Sequence, residues 1–305
     1  YGDKYKYKNY LLNLIDNVQY LILYSIQYNR EFFQVGDTYT GTPHKYILKD
    51  LKQKKLLNED INEIYFNNNF KQLKNKIFCS KESGYFILRD DKFHLFFMAS
   101  YFSRIHKQCD DLHISLNINN IQLLVDAGYS DKQNKLCYKS TSTRQYHNTV
   151  ILQEEFINND YNKQLKLRSN TKIINYTNFE DGYIVTGETI IKNKYFHKRI
   201  LIIFPKYHVI VIYDITDYPE YMYQVFNFGE KIKFFSNNIN TIIGNDTDKF
   251  EFITSKAIKK SSSKIWIDRF NTTENLRFFV KFSKSNMVII KEKDIDNISN
   301  ININN

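Results

Sequence analysis

Cysteine is scarce in this sequence. Cys79, Cys109 and Cys137 lie far apart with no CxxC spacing, so the odd count excludes a full disulfide framework and leaves free thiols with at most one optional bridge. Apolar runs of spanning length are also missing, because LLNLIDNVQYLILYSIQY is broken by Asp16, Asn17 and Gln19. This argues against membrane insertion. No block of like charge marks a nucleic-acid tail, and no helix-turn-helix, zinc-finger or RNP pattern is present. The net charge of +10 therefore specifies only a surface attractive to polyanions: nucleic acid, anionic lipid or acidic polysaccharide. The chain begins at Tyr1 with neither a methionine nor a signal-peptide pattern, and reads as a fragment or a processed product.

What is present is a chain of 305 residues, 42% hydrophobic and 16% aromatic, long enough to bury a sizeable core. Its 3 prolines and 9 glycines are few, while its 24 tyrosines and 24 phenylalanines are many. YKNYLLNLIDNVQYLILYSIQY, residues 7–28, places Leu11, Leu14, Ile15, Val18, Leu21 and Ile22 at helical spacing. Two shorter helices are expected near 45–54 and 58–74. From about residue 76 the period changes to that of strands. YFILRDDKFHLFFMA predicts a hairpin turning at Asp90 and Asp91, and HISLNINNIQLLVDAG another at Asn119 and Asn120. GYIVTGETIIK, KRILIIFPKYHVIVIYDIT and NLRFFVKFS continue the series, as a sandwich or stacked sheets would require. The class is α+β: a helical segment over 1–75, an antiparallel β-sandwich domain over 76–295, and a low-complexity, disordered tail over 296–305.

HKQCDDLHISL, residues 106–116, concentrates polar chemistry. In an extended strand His106, Gln108 and Asp110 share one face, while Cys109 points the other way and His113 faces away from His106. IQLLVDAG then returns Asp126 toward the first face, and STSTRQYHNTVIL sets His147 and Asn148 just before an apolar strand. Each has an ordinary role beside a chemical one: Asp126 caps the turn at Gly128, Arg144 is solvated, and His113 is a surface or core residue.

The order HxxxDDLxxxL, LLVDAG, HNTV resembles the signature of the heparinase II/III-like polysaccharide lyases, which reads HxHxDxLSF, then DxG, then HNT. FFQVGD and RILIIFPKYHVIVIYDIT extend the resemblance over most of residues 30–230. It implies the end of an α/α-toroid joined to a β-sandwich, and β-elimination on uronate polysaccharides. It further implies catalytic roles for Tyr7 and His106, with Arg144, His147 and Asn148 gripping the substrate. Lys8 stands where members carry a histidine beside that tyrosine. Many members hold a structural zinc through the second His of HxH, the Asp of DxG and the His of HNT. The matching residues here are Gln108, Asp126 and His147. An amide oxygen is a poor zinc ligand, so no cofactor is favoured and zinc remains an option at those three positions. Acidic polysaccharide is the expected partner. A non-catalytic protein of the same fold that binds such a polymer is the alternative. The family implies a periplasmic or extracellular place, whereas free cysteines favour a reducing interior.

Overall fold

The computed structural model describes residues 2–28, 30–33, 43–67, 70, 73, 75–100, 108–128, 141–236, 241–266 and 272–293. Three helices come first: α1 (Gly2–Ser25), α2 (Pro43–Gln53) and α3 (Glu59–Phe66). Asn58 caps α3, its Oδ1 accepting from the Asp60 and Ile61 amides. Ile22, Leu23 and Ile26, at the end of α1, are buried with Leu48 of α2 and with Ile61 and Ile64 of α3. The first half of α1 departs from expectation. Leu11 and Leu14, placed by their spacing on a buried stripe, are 54% and 48% exposed. The spacing made an amphipathic helix, but among the described residues no element covers that half. No described helix is long and apolar enough to cross a membrane.

Seventeen strands among the described residues form three sheets, with every pairing antiparallel. The first sheet runs in chain order through β1 (Ile77–Ser80), β2 (Tyr85–Arg89), β3 (Phe93–Met98), β4 (His113–Ile118) and β5 (Ile121–Leu124). A four-stranded sheet contains β6 (Val150–Leu152), β11 (Met222–Asn227), β15 (Ile258–Trp266) and β16 (Thr272–Phe282). The largest sheet has eight strands: β7 (Arg168–Phe179), β8 (Gly182–Ile191), β9 (Tyr195–Phe204), β10 (Val209–Thr216), β12 (Lys233–Ser236), β13 (Thr241–Gly244), β14 (Lys249–Thr254) and β17 (Ser285–Glu292).

The two hairpins expected from sequence form where the turn residues place them. Asn119 and Asn120 both have positive φ, 52° and 64°, as a two-residue turn matched to strand twist requires. Every residue of β3 and β4 is buried, so the alternation seen in β8 and β10 is lost there. The reason is that the first sheet is covered on both faces. Phe97, Leu116 and Ile114 join Leu201, Ile212 and Phe278 in the main core, while Ile87 and Phe96 pack against Tyr24 and Phe33 beside the helices. Edge-to-face rings of Phe226, Phe228, Phe252 and Phe278, 4.9–6.1 Å apart, fill the space between sheets and account for part of the phenylalanine excess.

Side chains of the first sheet also fasten the end of α1. His94 Nε2 donates to Tyr24 O at 2.7 Å, and Arg89 Nη1 donates to Ile26 O. Carbonyls at a helix C-terminus carry partial negative charge, so a buried guanidinium suits that position.

One segment corrects the sequence reading. Residues 108–112 are not a strand: the chain turns through Asp111 and Leu112, with Leu112 at φ 58°, and β4 starts only at His113. The turn resets strand parity, so faces assigned by counting from His106 do not carry across it. Gly36 and Asp37 of FFQVGD, His106, Cys137 and the C-terminal tail lie outside the described residues.

Candidate functional site

The start of β4, the segment after β5 and the HNT loop meet at a buried cluster. His113, Asp126 and His147 each offer a donor atom there, all within 4.8 Å of one another. Asp126 Oδ1 accepts the Gly128 amide at 2.8 Å, which is the turn-capping role expected of it. Its Oδ2 takes His147 Nδ1 at 2.7 Å and lies 3.6 Å from His113 Nε2. Burial alone would raise the Asp126 carboxyl, but His147, His113 and the Gly128 amide together hold it below its ordinary value. With Nδ1 of His147 committed to a carboxylate, the neutral ring keeps its lone pair on Nε2. That atom is buried without a hydrogen-bond partner. On His113 the Asn148 amide donates to Nδ1 at 3.0 Å, which leaves the proton on Nε2, where Ser115 Oγ lies 2.8 Å away.

By type and spacing these donors fit a zinc ion, which takes imidazole nitrogen and carboxylate oxygen. The imidazole that completes the trio is His113, not a group at Gln108. The sequence reading missed it because it ran the strand back to residue 106 and turned His113 away. Its only signal was a histidine two residues after the Asp110–Asp111 pair. Gln108 is itself buried, just before the turn.

Two expected substrate contacts belong to the framework instead. Asn148 is fully buried and bonded on all sides: its Nδ2 donates to Ile114 O and Val125 O at 2.8 and 2.9 Å, and its Oδ1 accepts the Asn227 amide at 2.6 Å. It ties β4, β11 and the segment after β5 to the HNT loop. Arg144 is equally buried, with Nη1 on Asp111 Oδ2 at 2.7 Å and Nε on Glu155 Oε1 at 3.0 Å. A guanidinium held by two carboxylates has no charge to spare for an anionic sugar, and its pKa is raised by them against the pull of burial. Tyr7 stands on the uncovered half of α1, 70% exposed. His147 and Asp126 do converge as expected.

A second buried network, unforeseen from sequence, backs this cluster. Asp214 on β10 accepts from Arg199 Nε and Nη2 at 2.9 and 2.8 Å, from His197 Nε2 at 2.7 Å and from Gln224 Nε2 at 2.6 Å. Arg199 Nη1 then reaches Leu112 O at 2.8 Å and Asn148 O at 2.6 Å. One side chain thus holds the 108–112 turn and the HNT loop in place.

Residues 75–218 match the family model described as heparinase II/III-like, C-terminal. Over that span the chain is similar to the C-terminal part of the heparinase II/III-like family. Heparan sulfate lyase HepC from Pedobacter heparinus shares the fold over 89% of this chain and 45% of its own, at TM-score 0.74 and 14% identity. A heparinase III gene product aligns over 88% of this chain and 45% of its own, at TM-score 0.71 and 14% identity. Heparinase III aligns over 92% and 48%, at TM-score 0.64 and 14% identity. The chain spans less than half the length of these solved structures, and at such identity the likeness is one of fold. No curated relative matches it. The His113–Asp126–His147 cluster lies wholly within the heparinase II/III-like span.

Proposed function

We propose that this chain is part of a lyase that cleaves an acidic, uronate-containing polysaccharide by β-elimination, with α1–α3 as the end of an α/α-toroid. The observation that carries the reading is the cluster just described, built from two motifs of the heparinase II/III-like signature plus His113. In this mechanism a phenolate or imidazole, from Tyr7 or His106, removes the proton on C5 of the uronate. Basic side chains on the neighbouring carboxylate stabilise the enolate-like state. Its electrons form the C4–C5 double bond as the C4–O4 bond breaks, and a phenol returns a proton to O4. Arg144 and Asn148 act behind this chemistry, keeping the HNT loop in register.

His113, Asp126 and His147 would hold a zinc ion whose service is structural, tying β4, the 125–128 segment and the HNT loop together. Ligation would require both imidazoles neutral and the Asp126 carboxylate ionised, so affinity should fall as pH falls. Metal analysis of the purified chain should find one zinc per molecule, absent in His113→Ala. Metal-free wild-type protein would retire the zinc and leave a hydrogen-bonded trio.

The activity test incubates the protein with a panel of uronate polysaccharides and follows the ultraviolet absorbance of the unsaturated product. Absorbance should rise with at least one polymer, and Tyr7→Phe and His106→Ala should each slow it about 10²–10⁴-fold. A flat trace with every polymer, while binding persists, favours a non-catalytic binder of anionic polysaccharide. The burial of Arg144 and Asn148, which removes two expected substrate contacts, is the observation on that side.

A further inference from the structure

A polar cleft of about 480 Å³ opens at the other end of β4 from the histidine cluster. Asn117, which lines it, is four residues from His113, roughly 14 Å along the strand. Its walls come from four separate parts of the chain: Tyr28 after α1, the β4–β5 hairpin, Glu230 and Lys231 before β12, and the Asn245–Asp248 turn.

The hydrogen bonds there fix which end of each amide is available. Gln27 Nε2 donates to Phe32 O at 2.8 Å, and a carbonyl can only accept, so Gln27 Oε1 must face the other way. That oxygen receives Asn117 Nδ2 and Gln122 Nε2, both at 3.0 Å. Asn119 Nδ2 is likewise held, by Asp248 Oδ1 at 3.2 Å and Glu292 Oε1 at 2.9 Å. Three amides thus have their donor ends engaged by protein and their oxygens left over. Asn117 is buried, and its Oδ1 has no hydrogen-bond partner among the described residues. Asp248 and Glu230 add further acceptors, with Lys231 the one cation among the lining residues.

An acceptor-rich wall of this kind repels carboxylate and sulfate groups and welcomes donors. We propose that this cleft is a second saccharide site, taking an uncharged, hydroxyl-rich sugar unit through the oxygens of Asn117, Asn119 and Gln122. The volume suits one or two sugar rings. The preformed amide relay means that little side-chain freedom is lost on binding. Its chemistry is opposite to that of a uronate site, so it does not depend on the lyase reading.

The test is calorimetric titration of the whole chain with the neutral tetrasaccharides cellotetraose, maltotetraose and N-acetylchitotetraose, beside a hyaluronan tetrasaccharide and calcium chloride. At least one neutral sugar should bind, and Thr247→Trp, which fills the cleft from an exposed turn, should weaken it at least tenfold. Gln122→Met, which removes an amide while keeping the chain length, should do the same. Melting temperature and any lyase rate should stay at the wild-type value in both variants. The proposal fails if no neutral tetrasaccharide binds, if both variants bind as wild type does, or if calcium alone titrates the cleft. Neutral-sugar binding without lyase activity on any polymer would sink the proposed enzyme and leave this site standing.

Discussion

Arg199→Met should destabilise the protein by about 3–5 kcal/mol, because it strands Asp214 as a buried carboxylate short of its main counter-charge. Methionine keeps much of the volume but none of the four bonds that Arg199 makes to Asp214, Leu112 O and Asn148 O. His197 and Gln224 remain on Asp214 and cannot replace a full positive charge. In a chain of this size the loss corresponds to a fall in melting temperature on the order of 10 °C. Adding Asp214→Asn to the variant should return part of that, since a neutral amide no longer demands a cation. A single variant as stable as wild type in urea or heat would show that Arg199 is not the brace described above. Zinc binding, if present, should weaken in the single variant too, because Asn148 and the turn before His113 lose their common anchor.

Stability should also fall in mild acid, with a slope of at most about 2.7 kcal/mol per pH unit in the window between the ordinary imidazole value and the lower native ones. Two imidazoles set that slope. Burial lowers His94 well below 6.5, helped by the nearby Arg89 charge. Burial likewise lowers His197, more than Asp214 raises it. Unfolding returns both rings to their ordinary value. Between that value and each ring's lower native one, the unfolded chain therefore binds a proton that the native one refuses, worth up to about 1.4 kcal/mol per pH unit for each ring. Asp126 and Asp214, both held below the usual carboxylate range, act in the same direction under about pH 4, where unfolding lets them protonate. Urea midpoints at pH 7.5, 6 and 5 measure the effect. His94→Gln keeps a donor for Tyr24 O and should halve the slope. Midpoints unchanged between pH 7 and pH 5 would mean that these rings are charged in the native protein.

Much of the β-architecture was legible because turns are local. Asp90–Asp91 and Asn119–Asn120 lie between apolar runs, and no distant residue is needed to read a hairpin there. The HNT and DxG motifs were legible for a different reason: their order along the chain carries a family resemblance that reaches beyond any single spacing. What escaped depends on distance. Arg144 looked like a free cation beside HNT because its partners Asp111 and Glu155 are 33 and 11 residues away. His113 was turned to the wrong side by one positive φ at Leu112, a conformation that its side chain gives no reason to expect. Leu11 and Leu14 kept a helical period, which speaks of a stripe but never of what lies against it.

The sheet from β1 to β5 has a consequence for how the molecule breathes. Packed above and below, its central strands offer water no side from which to enter. His113 grows from one of them, so transient opening at the rims would leave the histidine trio assembled. The amide-walled cleft opens beyond the far end of the same strand, at a hairpin tip. One strand thus links a quiet interior to a cleft whose amides are set before anything enters it.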